Sequence, residues 1–67
     1  MANFETLEKY LKRTGQTEAE IMGGSAAYGI YGVLELVDEA EKKQKKLIFY
    51  YETDEDMKMD NLTHKFE

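Results

Sequence analysis

The densest apolar run of the chain, Leu47-Ile48-Phe49-Tyr50-Tyr51, is followed at once by Glu52-Thr53-Asp54-Glu55-Asp56-Met57-Lys58-Met59-Asp60, with five carboxylates in nine residues. Aliphatic and aromatic side chains in an unbroken run favour an extended strand. Acids collect where the chain turns into water. The pattern predicts a strand over about 45–53, a turn at Asp54–Met57, and a returning strand over about 57–66.

The rest of the chain must cover that hairpin. At 67 residues there is room for one small domain, 1–67, with a single core. A chain of this length buries only about 60% of its unfolded surface, so a second copy would ease a thin core. Cysteine is absent, which excludes disulfides and thiolate metal sites.

Phe4, Leu7 and Leu11 recur at helical spacing, with Tyr10 beside them and Glu5, Glu8, Lys9 and Lys12 between. A helix over about 4–14 is predicted, capped by Asn3 and ended at Gly15. Thr17 and Glu20 form a capping box for a short helical turn over about 18–22, which Gly23-Gly24 breaks. The segment from Ser25 to Lys46 reads two ways. As a helix it carries Ile30, Val33, Leu34 and Val37 on one stripe. Against that, Gly29 and Gly32 each cost about 1 kcal/mol inside a helix, and Tyr28, Ile30, Tyr31, Val33 and Val37 favour a strand. The second reading predicts a strand over about 27–38. The expected fold is then α+β: a helix, a short turn of helix and a three-stranded antiparallel meander.

Side chains alternate along strands. Tyr28, Ile30, Leu34 and Leu36 would share a core face with Leu47, Phe49 and Tyr51, under Phe4, Leu7 and Leu11. Tyr31, Val33, Val37, Ile48 and Tyr50 would share the opposite face, with Glu35 and Glu52 among them. A single helix cannot cover both faces, and an uncovered apolar face usually marks an interaction surface.

No motif for chemistry stands out. The single histidine, His64, has no partner signalled by sequence and reads as a surface or sheet-edge residue. Ser25 lies in Gly23-Gly24-Ser25-Ala26-Ala27, which lacks the second glycine of a nucleophile elbow and the lysine of a phosphate loop. Asp54, Glu55, Asp56 and Asp60 lack the central glycine of a calcium loop. Met57 and Met59 read as packing residues at a strand edge. No catalytic residue, cofactor or metal site is expected.

Charge is the stronger signal. Fourteen acids against nine bases leave a net charge of −5, which opposes direct contact with nucleic acid or anionic membrane and favours basic partners. No apolar run reaches the ~18 residues of a membrane span, and the N-terminus lacks a signal-peptide layout, so a cytoplasmic location is expected. Along a strand, Glu52, Asp54 and Asp56 would stand about 6.6–6.8 Å apart in a row. Such a row can occupy a groove built for phosphates, which repeat every ~3.4 Å along a DNA strand. Lys42, Lys43, Lys45 and Lys46 make a local basic spot at the other end of the hairpin.

In size, acidity and lack of cysteine the chain resembles small phage and mobile-element inhibitors of DNA-binding proteins. That resemblance implies a non-enzymatic protein that mimics nucleic-acid charge and blocks a basic, nucleic-acid-binding host protein. The residues expected at the contact are Glu35, Glu52, Asp54, Glu55, Asp56 and Asp60 for charge, with Tyr31 and Tyr50 as anchors. The alternative is a self-associating module, a homodimer through the sheet face, with no inhibitory role.

Overall fold

A computed structural model describes residues 4–67, so the Asn3 cap lies outside the described residues. In chain order the elements are α1 (Phe4–Thr14), α2 (Glu18–Met22), α3 (Ser25–Lys43), β1 (Leu47–Tyr50), α4 (Asp54–Lys58) and β2 (Thr63–Phe66). The fold is small α+β, as expected, but its antiparallel sheet has two strands and not three.

α1 and α2 follow their local signals. Leu7 and Tyr10 of α1 are buried and Leu11 packs beside them. Phe4 does not join them and stays 59% exposed. The Thr17 hydroxyl accepts a hydrogen bond from the Glu20 N–H at 3.3 Å, as a capping residue does.

The segment expected as a strand over 27–38 is helix α3. Two glycines argued against a helix there, and the structure deals with them separately. Gly29 has φ 78° and ψ 161°, so it breaks α3 between a first turn and the long run that follows. Only glycine adopts that backbone cheaply, so its helical penalty never applies. Gly32 stays inside the helix and costs about 1 kcal/mol. Against it stand Val33, Leu34 and Val37, all buried, each contributing about 1.5–3 kcal/mol on leaving water. Burial wins. The burial period is helical: Val33, Leu34, Val37 and Ala40 face the core together, where strand alternation would have split Val33 and Val37 from Leu34. The last turns carry acid-before-base pairs, Asp38 to Lys42 at 3.4 Å and Glu39 to Lys43 at 3.2 Å.

The hairpin then returns as expected but shorter. Leu47 pairs with Phe66, Ile48 with Lys65, Phe49 with His64 and Tyr50 with Thr63. Leu47, Phe49 and Phe66 face α3 and pack on its buried stripe. The Phe49 ring also lies against Gly24, where any Cβ would come within 2.6 Å of it.

One buried polar network ties α1 to the hairpin. The Tyr10 ring is fully buried, and its hydroxyl accepts from the Leu47 N–H at 2.7 Å and donates to Gln16 Oε1. Gln16 Nε2 in turn donates to the Leu47 carbonyl at 3.3 Å. Nearby, Arg13 pairs with Glu41 and donates to the Lys45 carbonyl at 2.7 Å, so the C-terminal ends of α1 and α3 lie together. No helix among the described residues is long and apolar enough to cross a membrane.

Candidate functional site

The connection between β1 and β2 contributes no residue to the core. Its centre is α4, and none of its residues is buried. A helix this short gains nothing from packing here, so local bonds must hold it. The Thr53 hydroxyl accepts from the Asp56 N–H at 3.0 Å and caps the first turn. At the far end the Asn61 N–H donates to the Asp56 carbonyl at 2.8 Å, and Asp60 takes the left-handed conformation, φ 56°. The Tyr51 hydroxyl donates to Asp60 Oδ1 at 2.6 Å and closes the base of the loop. That bond to the carboxylate holds the Tyr51 hydroxyl above the usual tyrosine pKa, since ionisation would set two negative charges side by side.

The tip therefore presents side chains on a built frame. Asp54, Glu55 and Asp56 occupy the first turn of α4, where the positive end of the helix dipole favours them. Glu52 precedes the cap and Asp60 follows the helix. Met57 and Met59 stand 59% and 64% exposed. The expected row of carboxylates on an extended chain is not there. Within a helical turn neighbouring residues rise only about 1.5 Å and fan about 100° apart, so the acids are spread around the turn and do not line up. Nor are the methionines strand-edge packing residues, because they point into water beside the acids.

The other expected contact residues lie elsewhere. Tyr31 is 80% exposed on the solvent face of α3, with Glu35 exposed one turn on; neither belongs to the hairpin. Tyr50 is half-buried on the outer face of β1, with the Lys65 ammonium 5.2 Å from its ring centre. Lys65 is itself paired with Glu67 at 2.8 Å, and that bond raises its pKa. The structure thus joins Glu52, Asp54, Glu55, Asp56 and Asp60 into one tip and leaves Glu35, Tyr31 and Tyr50 outside it. A sheet face holding Tyr31, Val33 and Val37 does not exist: both valines are core residues of α3.

Sequence reasoning missed the helical form of the tip and its methionines. The signal was present, because Thr53 with Asp56 repeats the capping arrangement of Thr17 with Glu20. Removing the cap tests this locally. Thr53→Ala is expected to cost about 1 kcal/mol of tip helix, read as faster hydrogen exchange at Met57 and Met59, with the global melting temperature almost unchanged.

His64 sits in β2 with its ring edge-on to Tyr28 and Phe66, and its Nδ1 lies 3.2 Å from the Tyr28 hydroxyl, which also donates to the Leu62 carbonyl. These contacts fasten the first turn of α3 to the hairpin. Two shallow clefts of about 230 and 280 Å³ are lined by Gln16, Glu20 and β1 in one case, and by Thr6, Lys9, Asp38, Glu41, Lys42 and Gln44 in the other. Among the described residues no group of three or more His, Cys, Asp or Glu side chains is placed to hold a metal ion. Compared with known protein families, curated proteins and solved structures, the chain matches none.

Proposed function

We propose that this is a non-enzymatic acidic interaction protein, and that its tip occupies a basic, nucleic-acid-binding surface on another protein and competes with nucleic acid there. The observation that carries the reading is the tip itself: capped, latched at its base, and loaded with carboxylates beside two exposed methionines while burying no residue of its own. Unpacked yet framed side chains of this kind are available to a partner without unfolding anything. The acids would speed encounter with a basic surface, and the net charge of −5 adds to that steering. The methionines, flexible and polarizable, would supply the apolar contact that slows release. The mimicry is of local charge density and not of the phosphate repeat, since the acids surround a helical turn and do not line up. An inhibitor of the kind carried by phages and mobile elements is the particular form this reading takes.

The test is displacement of labelled DNA from a panel of basic DNA-binding proteins, followed by fluorescence anisotropy. The native protein should displace DNA from at least one of them, and less well as salt rises from about 50 to about 500 mM. Asp54→Asn/Glu55→Gln/Asp56→Asn should weaken displacement at least about tenfold, the equivalent of about 1.4 kcal/mol, while the melting temperature moves little because α4 is not part of the core. A neutralised tip that displaces DNA as well as the native one sinks the proposal.

A further inference from the structure

The two strands leave different edges. Lys46 and Glu67 exchange both main-chain hydrogen bonds, at 2.8 and 2.9 Å. In an antiparallel ladder such bonded pairs alternate with non-bonded ones. Ile48–Lys65 and Tyr50–Thr63 are then the next bonded pairs, and the main-chain groups of Leu47, Phe49, His64 and Phe66 face outward. On the β1 edge Leu47 is already satisfied, its N–H by Tyr10 and its carbonyl by Gln16, which leaves Phe49 as the one outward residue of that strand without a main-chain partner among the described residues. On the β2 edge the N–H and carbonyl groups of His64 and Phe66 have no hydrogen-bond partner among the described residues. An open edge is a template for another strand, and proteins usually guard it with charge. The one lysine on β2, Lys65, points to the sheet's outer face and is already paired with Glu67.

The charges at the two ends of the hairpin say which strand fits. Glu52, Asp54, Glu55 and Asp56 stand at the tip with no ion pair, and the exposed Lys45 and Lys46 stand at the opposite end with none, among the described residues. We infer that two copies of this chain pair antiparallel through their β2 edges, forming a four-stranded sheet β1–β2–β2–β1. The antiparallel arrangement is what a two-fold axis requires, and it sets the acidic tip of each copy beside the lysine end of the other, twice over. A parallel arrangement would set like charge against like. The pairing also relieves the weakness of a two-stranded sheet. Because each copy carries −5 and the contact is narrow, the dimer is weak. The inference is independent of the proposed partner.

Sedimentation equilibrium and hydrogen exchange by NMR, from about 1 µM to about 1 mM protein, test it. The His64 and Phe66 amides should exchange freely when dilute and gain about tenfold or more protection as the dimer forms. Pairing of the native protein separates the orientations, since only the antiparallel one sets opposite charges together, and two charge variants test whether those charges drive the pairing. Asp54→Lys/Glu55→Lys/Asp56→Lys and Lys45→Glu/Lys46→Glu should each be monomeric alone, and a one-to-one mixture should form a heterodimer, because only across the mixed pair do opposite charges meet at both ends. A purely structural role for these residues would not be repaired by mixing. The inference is overturned if the native protein stays monomeric at 1 mM, if either variant dimerises alone as the native protein does, or if the two do not associate on mixing. Protection of His64 and Phe66 that follows an added partner protein, and not concentration, would assign the edge to that partner and overturn it equally. Lys45→Glu/Lys46→Glu keeps the tip intact, so DNA displacement by this variant reports on the proposed function separately.

Discussion

A Tyr10→Phe variant will unfold about 1–3 kcal/mol more easily than the native protein, although it keeps the ring and loses a single oxygen. That oxygen accepts the Leu47 N–H and donates to Gln16 inside the core, where the Tyr10 side chain is fully shielded from water. Without it the Leu47 N–H is left buried and unpaired, which carries a desolvation penalty of about 1–3 kcal/mol. For a chain this short each kcal/mol moves the melting temperature by about 4–8 °C, so the loss is easily read in a thermal melt. The pH profile gives a second readout. Burial pushes the Tyr10 hydroxyl above the usual tyrosine pKa, and the hydrogen bond from Leu47 only partly offsets this. A group whose pKa is raised on folding stabilises fully below its unfolded value, here about 10, and loses that stability as pH climbs through the folded value. The native protein should therefore weaken above about pH 10, and Tyr10→Phe should weaken less steeply there. Tyr51 is shifted in the same direction by Asp60 but lies outside the core, so Tyr51→Phe serves as the control. Equal stability of Tyr10→Phe and native protein at pH 7 would show that the network does not hold the hairpin to α1.

Gly24→Ala should cost a further ~1–3 kcal/mol for a different reason. The backbone there, φ −79° and ψ −8°, suits any residue, so conformational strain is not the issue. A methyl group would lie 2.6 Å from Phe49 Cζ and 2.8 Å from both Cε atoms. The ring has Tyr28 on another side, centroid to centroid 5.5 Å, and cannot simply retreat. Overpacking of this sort typically costs about 1–3 kcal/mol. Gly24→Ala combined with Phe49→Leu should then be less destabilising than the sum of the two single changes, because the smaller side chain removes the clash. Strict additivity in denaturant unfolding would refute the contact as the cause.

Much of this architecture was legible locally. Leu7, Tyr10 and Leu11 lie four or fewer residues apart, and the Thr17–Glu20 cap is written within four positions, so α1 and α2 needed no distant information. The Leu47–Tyr50 strand and its return were legible from one apolar run and the acids after it. What could not be read was α3. Its glycines and β-branched residues favour a strand by their own propensities, and those preferences amount to about 1 kcal/mol each at most. The outcome was decided by the simultaneous burial of Val33, Leu34, Val37 and Ala40 against α1 and β1, which no local window contains. Gly29 then served as the break that lets the helix start cleanly.

The candidate site divides in the same way. Its charge was plain from Glu52 to Asp60, but its shape was not, because acids spread around a helical turn and a row on a strand have the same composition. By itself the amino-acid order determined where the chain turns, which ends of the hairpin carry which charge, and which short segments cap their own helices, since each depends on residues within a few positions of one another. Only the tertiary structure decided that 30–43 is helical, that Tyr10, Gln16 and Leu47 close on one another, and that Leu47 is satisfied on one strand edge while His64 and Phe66 stand open on the other. Those outcomes depend on groups up to 37 residues apart meeting in space, and no short stretch of chain holds that information.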